Sequence, residues 1–204
     1  GFADRTAPER LAAAAGELGD FVRTRLAGHL VESLGHAPEL VRATLSVHGD
    51  DPVDLVAWIQ ALSGFRDRPD FQLLATGFKR CRNILEGRLL AADELADCPA
   101  RWARGGATPS GRPLSELPEA AERQLREQVA SAAPALAAAE AAGDYVEAFR
   151  LLSSFGPAID RFFEAVRVNV DDAALRAFRH DFLREIHGLF ARYADFSEVA
   201  PAED

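Results

Sequence analysis

Apolar residues recur along most of this chain at intervals of three or four, which is the spacing of one face of an α-helix. Two runs show it most clearly: Phe71, Leu74, Phe78, Cys81 and Leu85, and later Leu175, Phe178, Phe182, Ile186, Leu189, Phe190 and Tyr193. Apolar and polar residues alternate over residues 166–170, as in a β-strand, but no second stretch of this kind could pair with it. We interpret them as an extended link between two helices, so the pattern predicts an all-α fold made of helical bundles.

Residues 8–67 are predicted to form a small bundle of three or four helices. Gly16 and Gly19 should loosen the first helix, and an apolar run over residues 21–34 follows. The helix boundaries carry the residues that usually mark them: a capping box, prolines in first turns and glycines at ends. These are Thr6 with Glu9, Gly35, Pro38, Gly49 and Asp51 with Pro52.

Residues 70–197 are predicted to form a larger helical domain. Its helix starts and breaks are expected at Pro69, Pro118, Asp144, Gly156 with Pro157, and Asp171 with Asp172. Residues 98–118 include four prolines and three glycines, so we expect a long exposed loop there. The spacing of the last two helices predicts that five side chains are buried together: Phe162, Phe163, Phe182, Ile186 and Phe190.

The charge balance narrows the possible partners. The 204 residues include 32 acidic and 23 basic side chains, giving a formal charge of -9. Such a chain avoids DNA and anionic membranes unless its positive charge is gathered on one face. No apolar run is long enough to span a membrane, and residues 2–11 lack the pattern of a signal peptide. The sequence therefore favours a soluble protein of the cytoplasm, which no membrane or DNA is expected to bind.

No catalytic or metal-binding motif is present. Phosphate-binding loops, nucleophile elbows and zinc-ligand spacings are all missing, and His180 and His187 lie too far apart on one helix to share an ion. Cys81 falls on an apolar stripe, where a free cysteine is usually a small core residue. We therefore predict no catalytic residue, no metal site and no cofactor in this chain.

Two groups of basic residues are candidates for binding a phosphate backbone and base edges. Lys79, Arg80 and Asn83 are neighbours on one helix, with Arg82 in the same run. The second group contains Arg161, Arg167, Asn169, Arg176 and Arg179, and His180 lies next to Arg179 in the last helix. The alternative interpretation is an ordinary solvated surface, because arginine is nearly the only basic residue this chain uses.

Four segments, in the right order, resemble the C-terminal region of the β subunit of bacterial glycyl-tRNA synthetase. Residues 158–176 (AIDRFFEAVRVNVDDAALR) resemble its FFD-V-V segment and the D-x-x-LR element that follows. Residues 78–85 (FKRCRNIL) resemble its KR-x-x-NIL helix, and residues 189–197 (LFARYADFS) its closing helix and tail. Residues 21–45 are similar to the helices that precede them.

The resemblance implies a DALR-type anticodon-binding domain, related to that of arginyl-tRNA synthetase, behind a smaller helical segment. It implies recognition of the anticodon arm of tRNA(Gly) by all nine basic and amide candidates above. Glycine, ATP and Mg would then be handled by a separate α subunit in an α2β2 complex, so the chain would belong to a ligase without catalysing the reaction itself. The resemblance is incomplete at Arg167, where an apolar residue is usual, and at Phe178, where an asparagine is common. A helical scaffold that binds a partner protein is the alternative function.

Overall fold

The protein is built from helices that pack on a single core. The computed structural model describes residues 7–48, 52–104, 108 and 112–199, and all structural statements concern these residues. The described part holds nine α-helices and no strand, which confirms the all-α prediction. They are α1 (Ala7–Glu32), α2 (Pro38–His48), α3 (Pro52–Ser63), α4 (Pro69–Leu85), α5 (Ala92–Ala103), α6 (Ala120–Ala142), α7 (Tyr145–Ser153), α8 (Gly156–Ala165) and α9 (Ala173–Ala191), with 3₁₀ turns at Leu114–Glu116 and Phe196–Glu198.

The first helix differs from the prediction. α1 continues unbroken through both of its early glycines, because an exposed helix interior tolerates glycine at a modest cost. Leu30 is buried and Val31 packs against the core, but Phe21, Val22 and Leu34 are exposed. Leu26 also packs against the core, so α2 covers the middle of the apolar run and both of its ends are exposed. The helix boundaries predicted at Thr6, Gly49 and Asp51 lie outside the described residues.

Helix α4 is the central element of the fold, packed against α7, α8, α9 and the last 3₁₀ turn. Its apolar stripe is buried as predicted from Phe71 to Leu85. Helix α8 approaches it unusually closely at two glycines. A Cβ on Gly156 would lie 2.0 Å from the carbonyl oxygen of Asp70, and a Cβ on Gly77 would lie 2.2 Å from the Ile159 side chain.

The last two long elements form the aromatic part of the core. All five side chains predicted to be buried there are buried, and the Phe162 ring packs edge-on against Phe182 at a centroid distance of 5.7 Å. The N-terminal helices join the same core through Trp58, whose ring stacks on Tyr145 of α7. The buried residues thus form one continuous cluster from Leu30 to Val199, while the division at residues 67–70 into two domains stays a prediction.

The segment expected to be a loop begins later than predicted. Residues 98–103 belong to α5, whose buried Cys98 and Trp102 lie against the Glu185 region of α9. The carboxylate of Glu185 accepts hydrogen bonds from Arg101, with a shortest distance of 2.7 Å. Leu114 and Leu117 are also buried, so the later part of the segment packs on the core as well. Residues 105–107 and 109–111 lie outside the described part of the chain.

A buried ion pair joins α6 to α9. The Nε atom of Arg179 donates to Oε1 of Glu122 at 2.5 Å, and both side chains are almost fully buried. The other carboxylate oxygen, Oε2, accepts from the backbone N–H of Glu119 at 2.7 Å. Both carboxylate oxygens of Glu122 therefore accept a hydrogen bond, and the positive charge of Arg179 compensates its negative charge inside the fold.

Replacing Phe182 with alanine should lower the free energy of unfolding by about 3–5 kcal/mol, since it opens a cavity in the α8–α9 core. Urea unfolding of the full chain measures this. Phe21→Ala is the matched control, because Phe21 is exposed on α1 and its loss should change stability by less than about 0.5 kcal/mol. Equal effects of the two substitutions would contradict the packing described here.

Gly156→Ala should destabilise the protein by about 1–3 kcal/mol or more, because the new methyl group meets the rigid backbone of α4 at Asp70. Gly28→Ala in α1 meets no atom within 4 Å and should be neutral or stabilising. Thermal unfolding of both variants measures the two changes in stability. A stable Gly156→Ala protein would show that the two helices can separate without cost.

Arg179→Met should cost about 3–5 kcal/mol, because it leaves the Glu122 carboxylate buried without a counter-charge. The double variant Arg179→Met with Glu122→Leu should recover most of that loss, since an apolar pair needs no charge compensation. Chemical denaturation of parent, single and double variants tests this. A double variant no more stable than the single one would place the cost in packing rather than charge.

Candidate nucleic-acid interface

The basic run on α4 divides between two sides of the helix. Successive residues of an α-helix turn by about 100°, so Arg80 and Arg82 lie on opposite flanks of the buried stripe. Arg82 faces the C-terminal tail, where its Nη1 pairs with Asp195 Oδ2 at 2.8 Å and donates to Ser197 Oγ at 2.9 Å. Arg80 faces α8, and its guanidinium lies over the ring of Phe163, 4.6 Å from the centroid.

Arg80 borders a groove of about 490 Å³ between α4 and the chain segment that follows α8. We call it the link groove. Its walls combine three cationic or amide side chains with apolar ones and one carboxylate. They are Arg80, Ile84, Phe163, Glu164, Ala165, Val166, Arg167, Val168 and Asn169.

The far wall of this groove is the extended link of residues 166–170, which contains no regular helix or strand, as predicted. Its alternation has a simple cause: Val166 and Val168 are buried, whereas Arg167 and Asn169 are exposed. The link therefore packs one edge into the core and presents a cation and an amide on the other.

Side chains of α9 fasten the link from behind. Arg176 Nη1 donates to the carbonyl oxygen of Val170 at 2.6 Å, and Arg179 Nη1 donates to that of Arg167 at 2.8 Å. The helix itself begins at Asp172, whose Oδ1 accepts from the backbone N–H groups of Ala174 and Leu175. In the D-x-x-LR element, then, the aspartate caps the helix and the arginine holds the link.

Asn169 is oriented by a third residue of α9. Its Oδ1 lies 2.9 Å from Nε2 of His180. Because the amide oxygen can only accept, the histidine must donate from this nitrogen. The amide nitrogen of Asn169 is then left to present two N–H donors, which suits an acceptor on the edge of a base.

A second concavity, of about 260 Å³, lies beside the first and is lined mainly by cations. We call it the arginine pocket. Its lining residues are Arg88, Ala173, Arg176, Ala177, His180, Asp181 and Arg184. The Asn169–His180 hydrogen bond joins the walls of the two concavities, so together they form one continuous surface rich in positive charge.

The surroundings of the arginine pocket lower the pKa of its histidine, His180. Burial, and then the guanidinium groups of Arg184, Arg88 and Arg176, lower the pKa of His180 below its ordinary value of 6.5. The carboxylate of Asp181 acts in the opposite direction, and its own pKa is raised by burial. The positive charge of these three guanidinium groups, which disfavours a protonated His180, would favour the binding of a negatively charged ligand.

The structure gathers only some of the nine candidates at this surface. Arg80, Arg167 and Asn169 line the link groove, and Arg176 lines the arginine pocket. Arg179 was predicted to contact a ligand, but it is buried and its guanidinium is taken up by Glu122 and the Arg167 carbonyl. The remaining candidates line neither concavity: Lys79, Arg82, Asn83 and Arg161.

Two residues of the surface, Arg88 and Arg184, were missed by the sequence reasoning, and His180 was noted beside Arg179 but not named as a ligand contact. A signal for Arg184 was present, because His180 and Arg184 follow Arg176 at successive intervals of four and so share a face of α9. Arg88 lies beyond the end of α4, so helical spacing could not predict that it joins this surface.

The two cysteines are not activated as nucleophiles. Burial raises the pKa of the Cys81 thiol to about 12 and also raises that of Cys98, so both thiols stay protonated near neutral pH. Within the described ranges no three histidine, cysteine or acidic side chains are grouped to hold a metal ion. The arginines and the amide of the two concavities can bind an anionic, partly planar ligand.

The chain is similar to several curated proteins named glycine–tRNA ligase beta subunit. The chain is 35% identical over 196 residues to the glycine–tRNA ligase beta subunit of Acidobacterium capsulatum, which covers 94% of this chain and 26% of that protein. It is 33% identical to the protein of the same name in Anaeromyxobacter sp. strain K and 34% identical to that in Citrifermentans bemidjiense, over 90% and 89% of this chain.

No family model matches the chain. Among the described helices, none is both long and apolar enough to cross a bilayer. The chain spans about a quarter of the length of the curated relatives it matches. Over almost its whole length, the chain is thus similar to one region of the glycine–tRNA ligase beta subunit.

Proposed function

We propose that this chain recognises tRNA(Gly) as the DALR-type anticodon-binding region of a glycine–tRNA ligase β subunit. The α subunit would carry the glycine and ATP chemistry in an α2β2 complex of the cytoplasm, with Mg bound there. The observation that carries the proposal is the link groove, where Arg80, Arg167 and Asn169 converge in a chain similar to that subunit.

The groove has the properties that an unpaired RNA loop requires. RNA sequence is read mostly on single-stranded loops, whose exposed bases stack on planar side chains and pair through their edges. Arg80, held flat over Phe163, offers a planar cation, and Asn169 offers amide donors. Arg167 adds a cation for the phosphate backbone. The overall charge of -9 does not oppose this, because the local positive charge governs the contact.

The first test is binding of a hairpin RNA with the tRNA(Gly) anticodon arm to the full chain. Arg80→Ala with Arg167→Ala should weaken binding and flatten the dependence of log K on log salt by roughly 0.7 per lost single-strand contact. Arg25→Ala is the matched control, because Arg25 is exposed on α1 but lines neither concavity. Fluorescence anisotropy across a salt series measures both quantities. Unchanged binding by the double variant would refute the assignment of the groove.

Base reading is tested separately with Asn169→Ala. It should reduce discrimination between the cognate hairpin and one with an altered anticodon by about 1–3 kcal/mol, with little change in the salt slope. In the complete ligase, the Arg80 and Arg167 double variant should raise the KM for tRNA. Its glycine-dependent ATP–pyrophosphate exchange should stay unchanged, because forming the adenylate needs no anticodon.

A helical scaffold for a partner protein remains the second candidate, and α1 is the observation that favours it. Leu11, Leu18, Phe21 and Val22 are all exposed on this helix. Groups of exposed apolar side chains often mark protein contacts. This function predicts that RNA binding and its salt slope do not respond to substitutions in the link groove.

A further inference from the structure

We propose that the arginine pocket binds a phosphodiester group of the RNA backbone, beside the link groove that receives the unpaired bases. The inference rests on the proposed function and deepens it, because it adds Arg88, His180 and Arg184 to the surface that contacts RNA. The two concavities would then have different tasks: the link groove reads bases, and the arginine pocket fixes the position of the strand.

The guanidinium groups converge from two separate parts of the fold. Arg176 and Arg184 lie on one face of α9, with His180 halfway between them, and Arg88 comes from the segment after α4. Arg184 is fixed in place by two contacts. It pairs with Asp181, and its Nε donates to the carbonyl oxygen of Arg88 at 3.0 Å.

The other two arginines have donors to give to a ligand. Arg176 uses Nη1 on the Val170 carbonyl, and a guanidinium carries five N–H donors in total. Arg88 pairs with Glu86 at 3.3 Å, with both side chains more than half exposed. Such exposed pairs contribute about 0–1 kcal/mol, so Arg88 can exchange Glu86 for a phosphate at little cost.

His180 makes the pocket responsive to its ligand. Because Nε2 donates to Asn169, the neutral ring keeps a lone pair on Nδ1, and burial, followed by three neighbouring guanidiniums, disfavours its protonation. The acidic groups near the ring are Asp181 on α9 and, acting on Asp181, Glu94 on α5. A phosphate between the arginines adds negative charge beside the ring, so the pKa of His180 rises when the ligand binds.

This coupling fixes the direction of the pH dependence. The pKa of His180 lies below 6.5 in the free protein, and a bound phosphate raises it. Proton uptake therefore occurs between these two pKa values. RNA affinity should fall as pH rises through that window, by at most about tenfold per pH unit, and should level off above it.

The test measures binding of the same anticodon-arm hairpin to the full chain as a function of salt and pH. Arg88→Ala should weaken binding about fivefold at 0.1 M salt and lower the salt slope by roughly 0.7, the value of one single-strand contact. His180→Gln should abolish the proton uptake, measured by titration calorimetry in two buffers of different ionisation enthalpy. Arg25→Ala is again the charge-matched control and should change neither quantity.

The outcomes separate this inference from the proposed function. If the hairpin binds and responds to the Arg80 and Arg167 variant, while Arg88→Ala and His180→Gln behave like the parent, the pocket is not a phosphate site and the function stands. If the parent does not bind the hairpin, both fail. Inorganic phosphate at millimolar concentration should compete only weakly. Competition by phosphate that removes the whole effect of Arg88 would make free phosphate the ligand and overturn the assignment to RNA.

Discussion

The close approach of α4 and α8 is the constraint on which the rest of the structure depends. At Gly77 and Gly156 the two helices come nearer than any side chain larger than hydrogen allows. Phe163, which also lies next to Gly77, sits beneath Arg80, and the extended link begins directly after α8 ends at Ala165. The link groove between α4 and the link follows directly from this packing, because a wider helix pair would separate Arg80 from Arg167 and Asn169.

Much of the fold could be predicted because its signals are local. The stripe on α4, the cap at Asp144 and the break at Gly156 each lie within one turn of the chain, and the structure confirms all three. Helix α5 was missed although Leu95, Cys98 and Trp102 have helical spacing, because Pro99 and the glycines beyond it indicated a loop. The exposure of Phe21 could not be predicted either, since periodicity shows that a face is apolar and not whether another element covers it.

The site was harder to predict because acidic residues far away in the sequence pair with some of its arginines and leave the others available to a ligand. Arg179 is neutralised by Glu122, 57 residues away, and Arg82 pairs with Asp195, 113 residues away. Sequence spacing placed both in basic groups, yet only the tertiary structure shows that one supports the fold and the other holds the C-terminal tail. The same pairing leaves a positive surface on an acidic protein. In the proposed function, the negative charge elsewhere would repel RNA and so restrict where it binds.

The fastening of the link by α9 has a consequence for the cost of recognition. Arg176, Arg179 and His180 hold residues 167–170 at three points before any ligand arrives. Immobilising a free side chain on binding costs about 0.5–1.5 kcal/mol, and a loop that must also order its backbone loses more. Here that entropy is lost during folding rather than at the encounter. The helix core thereby holds an irregular segment in one conformation before binding. In the proposed function, only the RNA loop would then lose conformational freedom when the two meet.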